Sequence, residues 1–273
     1  MADIVALRKD EAKGLVLRET SGAVLRLTLN NPPTNALSIA LIEALISELD
    51  AVAASSDIRV VILAATGSLF SSGHDLKELT GHRSDADKGR AFFEQTLQLC
   101  TDLMLKITHL PQPVIAEIDG LATAAGCQLV ATCDLAICTD SSTFCTPGVN
   151  IGLFCSTPMV AISRAAHPKQ AMEMLLTGET IDASTAKDFG LVNRIVPKQY
   201  LQQVVNKYAA IIASKSPQAL KSGKQAFYRQ ADMPIAEAYA YASGEMVENL
   251  LGRDAEEGMG AFLDKRMPEW KYD

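Results

Sequence analysis

An apolar run, Pro113-Val114-Ile115-Ala116, is followed two residues later by Asp119-Gly120-Leu121-Ala122-Thr123-Ala124-Ala125-Gly126-Cys127-Gln128-Leu129. That order predicts a buried strand, a tight loop of small residues and a helix start. A chain built this way folds as α/β, and the backbone N–H groups at the helix start face outward at its positive end, where a negative charge can be held. The pattern recurs upstream. Val60-Val61-Ile62-Leu63-Ala64-Ala65 reads as a strand buried on both faces, and Phe70-Ser71-Ser72-Gly73-His74-Asp75-Leu76 leads from it as a loop into a second helix start.

The remaining chain fits around these two units. Residues 15–17 and 23–29 read as strands of a hairpin turning at Ser21-Gly22, and Ser38 caps a helix to about Ala54 with Leu41, Leu45, Ile46 and Leu49 on one face. Residues 80–88 are polar and form the expected mobile segment; helical spacing follows over 92–107. After the central loop come strands at 135–138, 143–146 and 191–196, a sharp turn at 147–152, and a helix over 183–189 stopped by Gly190. From Gln199 onward only helix signals remain, over 201–214, 218–230, 235–251 and 254–265. A boundary near Pro197 divides a core, residues 1–197, from a C-terminal helical region, residues 198–273. The helices of the latter are apolar on more than one side, as a subunit interface would be.

The net charge of −7 gives no reason to expect nucleic acid or an anionic membrane as partner, so an anionic ligand needs a local basic site. Six cysteines without a Cys-x-x-Cys pair argue against a metal site or disulfide framework. Acidic residues among positions 1–17, with no apolar stretch, argue against a signal peptide, a spanning helix or a mitochondrial presequence. They predict a cytoplasmic protein.

Several strings together resemble the crotonase superfamily, the enoyl-CoA hydratase/isomerase family, over essentially the whole chain. They are Asn35-Ala36-Leu37-Ser38, Ser72-Gly73-His74-Asp75-Leu76-Lys77-Glu78-Leu79, the central loop with Ala125-Gly126-Cys127, Cys133-Asp134, Leu176-Thr177-Gly178, Gly190-Leu191-Val192, and Glu257-Gly258 with Ala261-Phe262 and Lys265-Arg266. The closest likeness is to the enoyl-CoA hydratase domain-containing subgroup. The resemblance implies an α/β fold, a spiral of ββα turns with a C-terminal helical region that builds homotrimers or hexamers. It implies an acyl-CoA, a coenzyme A thioester, as substrate or ligand, with no other cofactor and no metal. The backbone amides of His74 and Ala125 would form an oxyanion hole, Ala36, Leu37, His74, Asp75 and Leu76 would face the CoA, and Cys155 would line the acyl pocket. Phe262 and Lys265 of a neighbouring subunit would close on its adenine and phosphate end.

The likeness stops at the acid–base groups. Hydratases of the family hold a water between two glutamates, and the matching positions here are Gln128 and Gly148. Neither exchanges a proton near neutral pH, and each lost acid or base costs roughly 10²–10⁴-fold in rate. Classical hydration is therefore expected to be weak or absent. An enolate-type reaction such as isomerisation, decarboxylation or hydrolysis stays open, as does a non-catalytic acyl-CoA-binding or assembly protein. Replacement groups near by in sequence are His74, Asp75, Glu78, Asn150 and Cys155; the imidazole of His74 either points to solvent or serves as acid or base. Gly148 is expected to serve a positive φ after Pro147.

Overall fold

The computed structural model describes residues 14–270, so the presequence reading of positions 1–17 falls largely outside it. The chain opens with the antiparallel hairpin of β1 (Val16–Ser21) and β2 (Val24–Leu29), then α1 (Ile39–Ala53). The next turn runs through β3 (Val60–Ala65), β4 (Leu69–Ser71), α2 (Leu76–Gly81) and the long α3 (Arg90–His109). The third is β5 (Val114–Ile118), β6 (Leu121–Thr123) and α4 (Ala125–Thr132). The fourth passes through β7 (Leu135–Thr139), β8 (Thr143–Cys145), a 3-10 turn at Pro147–Ile151, α5 (Ser156–Ala165), α6 (Pro168–Thr177), β9 (Ile181–Asp182), α7 (Ala183–Phe189) and β10 (Arg194–Val196). Four helices end the chain: α8 (Leu201–Ala213), α9 (Pro217–Gln230), α10 (Ile235–Leu251) and α11 (Arg253–Leu263).

Each long strand hands the chain to a short one in a second sheet. One sheet has the order β1-β2-β3-β5-β7-β10, parallel except for the first pair; the other has β4-β6-β8-β9, parallel except for the last. This is the spiral of ββα turns. The short strands β4, β6 and β9 lie in stretches whose sequence reads as loop, because two or three residues carry no measurable period. Likewise β1 extends through the polar, exposed residues 18–21.

Strand β3 explains why the large sheet is buried twice. Val61 and Leu63 join the core beneath α1, whereas Val60 and Ile62 face outward with Ile115 and Ile137 and are covered by Leu201, Val205 and Ala209 of α8. Covering such a side chain is worth roughly 1.5–3 kcal/mol, so α8 closes the core although it follows Pro197. Further on, Lys224 of α9 donates to the carbonyls of Ile107 (2.9 Å) and Gln112 (3.0 Å) and pairs with Asp134 at 2.7 Å. Tyr228 donates to the same carboxylate at 2.9 Å.

The segment over 80–88, expected to be mobile, is held by local contacts. The His82 ring stacks on Phe92 at 3.7 Å, and its Nδ1 meets Asp85 at 2.7 Å.

Candidate oxyanion site

The centre of the site is the step from β6 into α4. Ala124 adopts φ 51°, ψ −120°, which is unusual for a residue with a side chain; such backbone strain costs of order 1–3 kcal/mol and persists only where its surroundings enforce it. Here Ala124 N donates to Cys145 O of β8 at 3.0 Å. The turn sets Ala125 at the first helical position, where no preceding turn exists to accept its N–H.

The second loop is brought against this step. Leu37 N donates to Gly73 O at 2.8 Å, and Leu37 and His74 form an isolated parallel bridge. Ser71 Oγ bonds Asn35 O (2.8 Å) and accepts from Gly73 N (3.2 Å). A Cβ on Gly73, whose φ is +80°, would stand 2.9 Å from Ala124 Cβ and 3.0 Å from Ala125 N. The loop that carries His74 is therefore packed against the 124–125 peptide with no room for a side chain at residue 73. A free N–H at a helix start can hold an oxygen that becomes negative.

Asn35 holds this arrangement, a part that its place in the Asn35-Ala36-Leu37-Ser38 string does not reveal. Fully buried at φ 47°, it donates to Thr66 O and Leu69 O, both at 2.8 Å, and accepts from Asn31 N at 2.9 Å. The signal available was its place in the Asn-rich loop between β2 and α1, and Asn tolerates that backbone region better than most residues.

The other expected site residues scatter. Ala36 is half-buried and its carbonyl accepts from Asn31 Nδ2; the Leu37 side chain is wholly buried in the core, leaving its backbone to the loop. Asp75 caps α2, accepting from Lys77 N (2.8 Å), and Glu78 accepts from Ile39 N (3.2 Å). Leu76 is exposed, while Asn150 sits exposed in its turn. Phe262 and Lys265 project from the end of α11, Phe262 with 82% of its surface exposed.

Two polar atoms on the elements that carry the amides are buried without a hydrogen-bond partner among the described residues: Nε2 of His74 and Oε1 of Gln128. The imidazole of His74 is thus turned inward and not to solvent. Burial pushes its pKa below the ordinary imidazole value, so it is held neutral.

Gly148 corrects a second expectation. It does not have a positive φ; Gly152 does, at +77°. What restricts position 148 is space, because a Cβ there would lie 2.9 Å from both Cys155 Sγ and Leu153 O. Leu153 N in turn donates to Gly148 O at 2.9 Å. Cys155 is buried, and burial raises its thiol pKa, which argues against a thiolate. All six cysteines are free thiols. Among the described residues there is no cluster of three or more metal-ligating side chains, and no helix is long and apolar enough to cross a membrane.

Residues 19–273 match the family model described as enoyl-CoA hydratase/isomerase. The human enoyl-CoA hydratase domain-containing protein 3, mitochondrial, is 45% identical over 267 residues, 97% of this chain and 86% of that protein. Its crystal structure superposes with a TM-score of 0.89 at 46% identity, covering 94% of this chain and 100% of that one. A crystal structure of enoyl-CoA hydratase from Mycobacterium smegmatis gives the same TM-score and identity over 94% and 99% of the two chains. The human protein and its rat and mouse counterparts are named mitochondrial, which overturns the cytoplasmic location expected from the acidic residues near the start. A leader is an address read before folding, and charge composition alone is weak evidence about it.

Proposed function

The chain belongs to the enoyl-CoA hydratase/isomerase family, and from that premise we propose that it binds an acyl-CoA with the thioester oxygen between the amides of His74 and Ala125. The observation that supports the reading is the tight packing of the Gly73 loop on the start of α4, where a Cβ on Gly73 would stand 3.0 Å from Ala125 N. Negative charge develops on a thioester oxygen when an α-proton leaves, and each positioned donor contributes roughly 2.7–4 kcal/mol to lowering that barrier. The reaction class is accordingly enolate chemistry on a CoA thioester. Hydration by paired carboxylates is not part of it, because Gln128 and Gly148 supply no exchangeable proton.

The CoA end requires a second copy of the chain. Ile235, Tyr239, Leu251, Phe262 and Leu263 of α10 and α11 are each more than 70% exposed, an apolar surface that supports a homotrimer or a hexamer built from two trimers. In that assembly Phe262 and Lys265 close on the adenine and phosphates of a neighbour's ligand, Lys265 supplying the local cation an acidic protein needs.

A thermal-shift series with acetyl-, butanoyl- and longer acyl-CoAs tests the reading, since a ligand that binds only the native state raises its stability. Stabilisation by CoA esters is the expected result, and no response to any of them would sink the proposal. Stabilisation without turnover of any ester would instead mark a non-catalytic acyl-CoA-binding protein. Light scattering tests the assembly: a monomer at working concentration would refute it.

A further inference from the structure

An enolate reaction needs a base, and the structure narrows the choice among the side chains near the two amides. Asp75 is spent on the α2 cap and Glu78 on Ile39 N. Asn150 is exposed and does not exchange protons, and the buried thiol of Cys155 is held protonated. Gln128 is more than nine-tenths buried with an unpartnered acceptor, but an amide takes no proton. His74 alone of this group carries a titratable side-chain atom, Nε2, that is buried without a partner among the described residues. It also supplies one of the two amides of the proposed hole, so its imidazole springs from the same residue that would hold the thioester oxygen.

Resting on the acyl-CoA reading above, we propose that Nε2 of His74 is the base that removes the α-proton of the bound thioester and returns it to carbon. The Nε2 lone pair takes the proton, the C–H electron pair moves into the thioester to form an enolate, and the two amides hold the resulting oxyanion. The imidazolium then delivers its proton to the α-carbon, or to the γ-carbon of a β,γ-unsaturated chain, in which case the double bond shifts. Either route returns the imidazole to its neutral form and consumes nothing else.

The test uses the full-length protein and butanoyl-CoA, a saturated ester that cannot be hydrated, and follows exchange of its α-hydrogens in D2O by mass spectrometry or NMR. His74→Gln and His74→Ala keep the backbone amide, so both variants should still be thermally stabilised by butanoyl-CoA. Their exchange should fall by at least about 100-fold, the usual worth of a positioned base. In the wild type the rate should rise with pH through a midpoint below the ordinary imidazole value, and the variants should lose that inflection. The other titratable groups on the segment that carries His74 are Asp75, Lys77 and Glu78; residues 30–38, β4 and β6 carry no charge, and α4 adds only the Cys127 thiol. Equal exchange in wild type and variants, or no exchange in a wild type that butanoyl-CoA does stabilise, would overturn the proposal. A wild type that butanoyl-CoA fails to stabilise would instead overturn the acyl-CoA reading beneath it.

Discussion

Cys155 Sγ lies 2.9 Å from the position that a Cβ on Gly148 would occupy, and Leu153 O lies at the same distance on another side. One is a short side chain anchored by its own backbone and the other is main chain, so neither yields easily. The space where a second carboxylate would enter the site is already filled.

Restoring the hydratase pair by substitution should therefore fail at position 148. Gly148→Ala should destabilise the protein by roughly 1–3 kcal/mol through overpacking, and Gln128→Glu with Gly148→Glu should not gain crotonyl-CoA hydration. Gln128→Glu alone should fold. Thermal melts with a hydration assay check this, and hydration at ordinary family rates in the double variant would show that the 148–155 loop moves aside.

Gly73→Ala should disable the oxyanion hole. Its Cβ would meet Ala124 and Ala125 at about 3 Å in a backbone conformation that disfavours side chains. Losing one donor costs about 10²–10³-fold in rate, so α-hydrogen exchange of butanoyl-CoA should drop by that factor. Unchanged exchange would mean that the His74 amide is not a donor.

The buried His74 also predicts a pH dependence of stability. Its folded pKa lies below the unfolded value of about 6.5, so as pH falls the unfolded chain takes up a proton first. The stability contribution is full above about pH 6.5 and is lost toward the lower folded pKa. The wild type should lose more melting temperature than His74→Asn between about pH 8 and pH 5. Parallel curves would place the imidazole in solvent.

Lys224→Met should cost roughly 3–5 kcal/mol, because it strands Asp134 without its buried cation. Urea unfolding measures it. A loss below about 1 kcal/mol, the worth of a surface pair, would show that the Lys224–Asp134 contact is solvated.

Much of this architecture can be read along the chain. β3 and α7 have the bounds their residues predict, because a six-residue apolar run and an Asp182 cap with a Gly190 stop are local signals. The central strand–loop–helix order likewise announced an anion-binding helix start. β4, β6 and β9 were not readable, since strands this short are defined by their partners. At the site, the helix start at Ala125 and the lack of a carboxylate at Gln128 were legible, whereas the inward turn of His74 and the structural part of Asn35 depend on the packing of separate loops, Asn35 reaching partners more than thirty residues away.

The sequence by itself determined the layering, the helix start that carries Ala125 and the absence of carboxylates at 128 and 148, because these follow from residue type and short-range spacing. Only the tertiary structure decided that the Gly73 loop packs on Ala125 with no room for a side chain, that Nε2 of His74 is buried without a partner among the described residues, and that Gly148 is fixed by Cys155 and Leu153 and not by its own φ. Those outcomes are set by close packing between separate loops, where a few tenths of an ångström decide what fits, and no local propensity records such distances.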